Sequence, residues 1–399
     1  MLTETQLSKT KSIQAKAMLA GVIGTVVALG SAATGMDRVF QVFLVAFVMW
    51  FGMSVSSLAL LMIHHLCGGA WSFLVQRIAE AGARTLPFFL VLGAFVLLGG
   101  VYAGNLYPWM DADYIAKHSV VGNKVLFLNP SMFTICFFIS SCFNSWSAKL
   151  EATGDARYAK RMKGLAGPGL LLYVISMTFA ATHWTMSLEP EWFSTIYGAW
   201  LISNYALLVM AFCAIVLSYL ANEGPVAERA GSKHFLHLGN FILGFTIFWS
   251  YISFSQFLLI WNGNIPEEIG WYLNRQGGSL TVLTVFLMAF VWFAPMMWLM
   301  TRGNKTNTAR LRKMAYYVLA CRVFDVYWNV APSFPDHHKI INWTTTFFSL
   351  AAVIGIGGLW LWVFLGQLKK REILPKNDPR EEGYFLEEAA HQEALGSEA

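Results

Sequence analysis

Apolar runs of near-constant length recur along this chain, each separated from the next by a short stretch holding charge, proline or glycine. A hydrocarbon core about 30 Å thick takes roughly 20 apolar residues as a helix. Ten runs of that order fall near 15–35, 39–64, 86–105, 130–148, 166–187, 193–221, 234–261, 279–301, 312–331 and 341–367. They predict an all-α integral membrane protein of about ten transmembrane helices. A single polytopic domain covers 1–367, and a tail occupies 368–399. Between the second and third runs, Trp71, Leu74 and Ile78 alternate with Arg77, Glu80 and Arg84, a pattern that predicts a short helix lying on the inner membrane surface. No internal repeat is visible, so inverted-repeat transporter architecture gains no support.

Composition agrees with the pattern. Of 399 residues, 56% are hydrophobic and 13% charged, where soluble domains carry about 25% charge. The first run follows Lys9, Lys11 and Lys16 and reads as a retained anchor; a cleaved signal peptide ending near Ser31-Ala-Ala33 is the competing reading. Cationic loops resist translocation. With the N-terminus inside, 22 Lys and Arg fall in inner segments and 5 in outer loops, which predicts both termini in the cytoplasm. The net charge of +5 arises mostly from inner loops such as Lys149 to Lys163 and Arg302 to Lys313, so it signals topology and not nucleic-acid binding. The tail opens on Lys369-Lys-Arg371, suited to lipid head groups, and turns acidic through Glu381, Glu382, Glu387 and Glu388, as a solvated segment would. Cys67, Cys136, Cys142, Cys213 and Cys321 form no Cys-x-x-Cys pair. They read as small packing residues, so iron-sulfur, zinc and c-type haem all lose support.

Ionisable groups at membrane depth each need a physical account. Arg322 and Asp325 sit three apart near the middle of the ninth run, on one helix face. They are either a structural ion pair or a proton-carrying carboxylate tuned by a fixed cation. His64 and His65, at the inner end of the second run, and His234 and His237, at the inner end of the seventh, lie where imidazoles suit proton entry from the cytoplasm. A b-type haem between them is the alternative. The stretch Thr182 to Gly198 places His183 about a turn inside the outer surface, with Pro190 breaking the helix, Glu189 and Glu191 in the turn, and Trp184 and Trp192 as interfacial anchors. The next outer loop, Leu259 to Tyr272, repeats a proline and two acids between tryptophans, so the two predict a shared acidic outer surface. A quinone head group would need a base and an apolar slot, for which His183, Trp184, Tyr251 and Gln256 are candidates. A stand-alone transporter would bind at a helix break, for which Gly355-Ile-Gly-Gly358 and Pro295 are candidates.

Three segments together resemble the ActF-type membrane subunit of alternative complex III, a bacterial quinol:cytochrome c oxidoreductase. They are Met186-Ser-Leu-Glu-Pro-Glu-Trp-Phe-Ser-Thr-Ile-Tyr-Gly198, Phe248 to Trp261 running into Asn264-Ile-Pro-Glu-Glu268, and Asp325-Val-Tyr-Trp328. The resemblance covers about 183–332. It implies an NrfD/PsrC-like protein of two four-helix bundles with flanking helices in the bacterial cytoplasmic membrane. It also implies a chain without its own redox centre that stabilises the complex and carries protons. Haem c, iron-sulfur clusters and quinone are then expected in the partners: a quinol-oxidising NrfD-like subunit, a multihaem cytochrome c, an iron-sulfur protein and small membrane subunits. Candidate proton carriers are Asp325 with Arg322, His64, His65, His183 and Glu189. The sequence departs from the family in having Glu189 and Glu191 where an aspartate and a histidine are expected, and a permanently charged Arg322 where an imidazole would suit relay.

Overall fold

The computed structural model describes residues 2–102, 106–108, 130–334, 340–375 and 377–386. The outer loop over 109–129 and the tail from 387, with Glu387 and Glu388, lie outside the described residues. Each predicted run coincides with a helix, and no strand occurs among the described residues. The helices are α1 (Glu4–Leu29), α2 (Met36–Cys67), α3 (Ala70–Ala83), α4 (Leu86–Gly93), α5 (Pro130–Thr153), α6 (Ala156–Trp184) and α7 (Tyr197–Leu220). There follow α8 (Ser232–Gly263), α9 (Pro266–Arg275), α10 (Gly278–Phe286), α11 (Thr308–Val330) and α12 (Trp343–Leu368).

Eight helical stretches among the described residues are long and apolar enough to cross a membrane. The remaining two predicted runs are α5 and α11, at 24 and 23 residues long enough but more polar. The protein is therefore a multi-pass, all-α membrane protein. α2, α3–α4, α5 and α6 pack as one group, α7, α8, α10 and α11 as another, and α2 meets α7 between them. α1 and α12 flank this pair of bundles. α12 is fixed to α2 by Trp50 Nε1 donating to Val353 O at 2.8 Å and Trp360 Nε1 donating to Ser54 Oγ at 2.8 Å.

Three expectations fail here. α3 does not lie on the surface: Arg77 and Glu80 are buried, in a cluster with Arg84, Ser147, Glu151 and Arg371. Its polar face meets charged partners from distant parts of the chain, where the pattern alone implied water. The tail is not wholly solvated either, since Ile373 and Asp378 are buried as the chain folds back beneath the bundles. Gly355 and Gly358 mark no helix break, because α12 is continuous through them.

Candidate proton site and aromatic cavity

α11 enters the second bundle with Asn307 capping its first turn by accepting from Arg310 N at 3.0 Å. This helix presents Asp325 and Arg322 to α7 and α8, not to lipid; the two side chains are 1% exposed each, with Nη1 and Oδ2 3.5 Å apart. Asn204 of α7 donates its Nδ2 to Asp325 Oδ2. The Arg322 guanidinium lies over the Trp249 ring of α8, 4.4 Å from its centre, so the cation is held on one side by the carboxylate and on another by an aromatic face. Asp325 stands only about 7.5 Å of helix rise from the end of α11 at Val330, nearer that end than the predicted mid-depth.

One turn further out, Tyr197 OH donates to Asn329 Oδ1 at 3.0 Å, a second polar rung between α7 and α11. Above it Arg275, fully buried at the end of α9, donates to Asn329 O and Ser333 Oγ, each at 2.8 Å. Arg275 also pairs with Glu189 at 2.6 Å and stacks on Trp271, its guanidinium 3.6 Å from the ring centre. Burial draws the Arg275 pKa below its usual value, and the Glu189 charge opposes that shift; an arginine remains cationic regardless. Glu189 is consequently one half of an ion pair with a hydrogen bond from Asn274 Nδ2 at 3.1 Å, not part of an open acidic surface.

Beside Asp325 is a cavity of about 240 Å³, lined by α7, α8, α9, α10 and α11. Its wall includes the tryptophans Trp200, Trp249, Trp271, Trp292 and Trp328, with Gln256 and Asp325 among its polar members. Four buried polar atoms on these residues have no hydrogen-bond partner: Asp325 Oδ1, Gln256 Nε2, Trp200 Nε1 and Trp249 Nε1. Gln256 Oε1 accepts from Ser194 Oγ at 3.2 Å, which fixes the amide. The wall from α10 continues as the π-helical segment Leu287–Phe293, just before Pro295, whose missing N–H removes one helical hydrogen bond.

The site residues read from sequence are thus divided. Asp325, Arg322 and Gln256 converge on this region. His183 stands elsewhere, stacked on Phe179 at 6.3 Å. Trp184 packs on Phe47 and Phe51 at 5.1 and 5.2 Å, and Tyr251 is 64% exposed on the outside of α8. The four-residue pocket of His183, Trp184, Tyr251 and Gln256 therefore does not form; on α8, Tyr251 and Gln256 point to different sides. Trp184 and Trp192 are core residues and not interfacial anchors, Trp192 stacking on Trp271 at 4.6 Å. His64 and His65 are buried at the other end of the bundles, and their hydrogen bonds run to Ser72 and Arg380, away from Asp325. Asn204, Tyr197, Asn329 and Arg275 escaped the sequence reading. The signal is present for Asn204, a lone amide inside an otherwise apolar run, but an amide carries no charge to single it out at depth.

No protein-family model matches the chain. A curated protein, protoheme IX farnesyltransferase 2 of Mesorhizobium japonicum, is 26% identical over 142 residues, which cover 31% of this chain and 45% of that protein. The chain spans less than half the length of this relative.

Proposed function

We propose that this chain is a non-haem membrane subunit of a quinol:electron-acceptor oxidoreductase of the alternative complex III type, in the bacterial cytoplasmic membrane, and that it carries protons through Asp325. The observation behind this reading is the carboxylate itself. It is excluded from lipid, held by Asn204 and Arg322, and opens on one side to a cavity. Transmembrane proton routes are built from such groups. The rung of Tyr197 and Asn329 and the buried Glu189–Arg275 pair extend polarity from Asp325 toward the outer end. Exchange of Asp325→Asn keeps the shape and removes the proton. In the reconstituted complex it lowers the protons released per electron while quinol oxidation continues; unchanged coupling rejects the role.

The cavity favours a second reading, in which this chain binds the quinol ring itself. An apolar slot with a few unsatisfied polar atoms is the usual composition of a small-molecule site, and Asp325 Oδ1, Gln256 Nε2, Trp200 Nε1 and Trp249 Nε1 supply one acceptor and three donors. A photoreactive quinone that labels peptides of α8 and α11 supports this reading. Labelling confined to another subunit removes it.

A further inference from the structure

The end of the molecule predicted to face the cytoplasm holds a second group of buried titratable side chains, separate from the site above. His64 and His65, adjacent near the end of α2, are 1% and 3% exposed. His64 Nδ1 is hydrogen-bonded to Ser72 Oγ at 2.8 Å. His65 Nδ1 lies 3.2 Å from Arg380 Nη1. An arginine can only donate, so this ring accepts at Nδ1 and carries its proton at Nε2. The Nε2 atoms of both rings are buried and have no hydrogen-bond partner. Imidazoles this near a helix end would ordinarily satisfy those atoms with water. Here the chain's own C-terminal segment lies against both rings, Arg380 on His65 and Tyr384 beside His64.

After α12, Arg371 enters the Glu80 cluster, 3.4 Å from Glu80 Oε2 and 3.1 Å from Ser147 Oγ, and roots the segment. Asp378 then grips Arg380 through two hydrogen bonds of 2.9 and 2.7 Å and presents it to His65. The Tyr384 ring lies 6.1 Å from that of His64. It also rests on Gly68, where φ is +70° and a Cβ would come within 2.6 Å of the ring, so a larger residue there would displace it. Phe385 packs against Phe73 at 6.0 Å. The tip is fastened by an ion pair between Arg229 and Glu381, with side chains 42% and 21% exposed.

We propose that residues 377–386 are a strap that closes the inner mouth of the His64–His65 pocket, and that its release opens the two imidazoles to cytoplasmic water. The root and the tip differ in the way a hinged cover requires. Arg371 is tied into a buried cluster, whereas the Arg229–Glu381 pair is half in water, where ion pairs are weak and screened by salt. The closed strap also sets the charge around the rings. Arg380, held by Asp378, lies against His65 as long as the strap is down. Lifting the strap removes Arg380 from His65 and gives both Nε2 atoms water with which to exchange protons. Its purpose rests on the proton-carrying reading; its existence does not.

The test uses inside-out membrane vesicles holding the full chain in its complex, with diethyl pyrocarbonate as probe and peptide mass spectrometry as readout. His64 and His65 resist carbethoxylation in the unaltered chain. They react faster by on the order of ten-fold in Arg380→Gln and in a chain ending at Pro375, which keeps Arg371. Arg229→Gln and about 1 M salt act in the same direction. The proposal is overturned if the shortened chain, with an unchanged thermal transition, protects both histidines as well as the full chain does. Should shortening lower that transition, Arg380→Gln decides alone: protection there equal to the full chain's overturns the strap. Asp325→Asn leaves the labelling unaltered, so normal coupling in that variant beside a strap that still gates labelling would reject the proton role and keep the strap.

Discussion

Arg322 and Asp325 show why a buried ion pair is weak evidence of stability and strong evidence of constraint. Desolvation of two charges roughly cancels their attraction, but removing one partner strands the other at a cost of about 3–5 kcal/mol. Arg322→Leu should therefore destabilise the protein by that order, and the double variant Arg322→Leu/Asp325→Leu should recover much of the loss in a thermal-unfolding series in detergent. Equal destabilisation by the single and double variants would show that the pair is not coupled. Asp378 gives a prediction in pH. Burial alone would raise its carboxyl, but the hydrogen bonds and charge of Arg380 outweigh this and hold it below the usual carboxylate range, with the His64 ring also nearby. A depressed folded value means that the contribution to docking is complete above the ordinary carboxylate pKa of about 3.9 and is lost as pH falls through the lower folded one. Hydrogen exchange over 377–385 should then stay protected from neutrality to about pH 5 and rise only in stronger acid. The Arg322–Asp325 pair was legible because charge in an apolar run has few explanations. The cavity was not, because it depends on where five tryptophans from five helices converge, and tryptophan in a membrane chain is equally at home in an interfacial belt.

The helices were legible almost to their ends, since each needs only a run of apolar residues, and the failures occurred where a helix's neighbour decides its meaning. α3 has the amphipathic period of a surface helix, yet its polar stripe faces Glu151 and Arg371, from α5 and the tail, which no local window could supply. Glycines in α12 suggested a break and instead permit contact. A Cβ on Gly355 would come within 2.5 Å of Thr25 N, and one on Gly24 within 2.7 Å of Gly355 N, so α1 and α12 touch backbone to backbone. Membrane helices associate largely through such packing. Gly355→Ile should pry α1 from α12, costing about 1–3 kcal/mol. Cysteines placed at the α1–α12 contact should cross-link in the parent and fail to do so in the variant. Cross-linking at the parental rate would mean that α1 is held mainly by its other contacts, such as Gln14 Nε2 donating to Trp362 O at 2.9 Å.

For the molecule as a whole, two polar regions lie at opposite ends, Glu189 to Asp325 at one and the His64–His65 pocket under its strap at the other. A chain so arranged can hold protons near each face, but quinol oxidation also yields electrons, and these need an acceptor. On the proposed function the haems and clusters belong to companion subunits, and proton transfer through this chain would be coupled to electron transfer only with those companions attached. Isolation through a tag on this chain in a mild detergent should therefore bring down a cytochrome c spectrum and several further polypeptides. A harsher detergent should release this chain without haem absorbance, its helical circular dichroism largely intact, because α2 and α7 are buried within the chain's own bundles. Quinol oxidation by the remaining subunits should then lose part of its proton release, the same outcome expected of Asp325→Asn. A solitary, stable polypeptide recovered under the mild condition, with no cytochrome in the same fractions, would contradict the assembly and leave the cavity beside Asp325 as the feature needing another ligand.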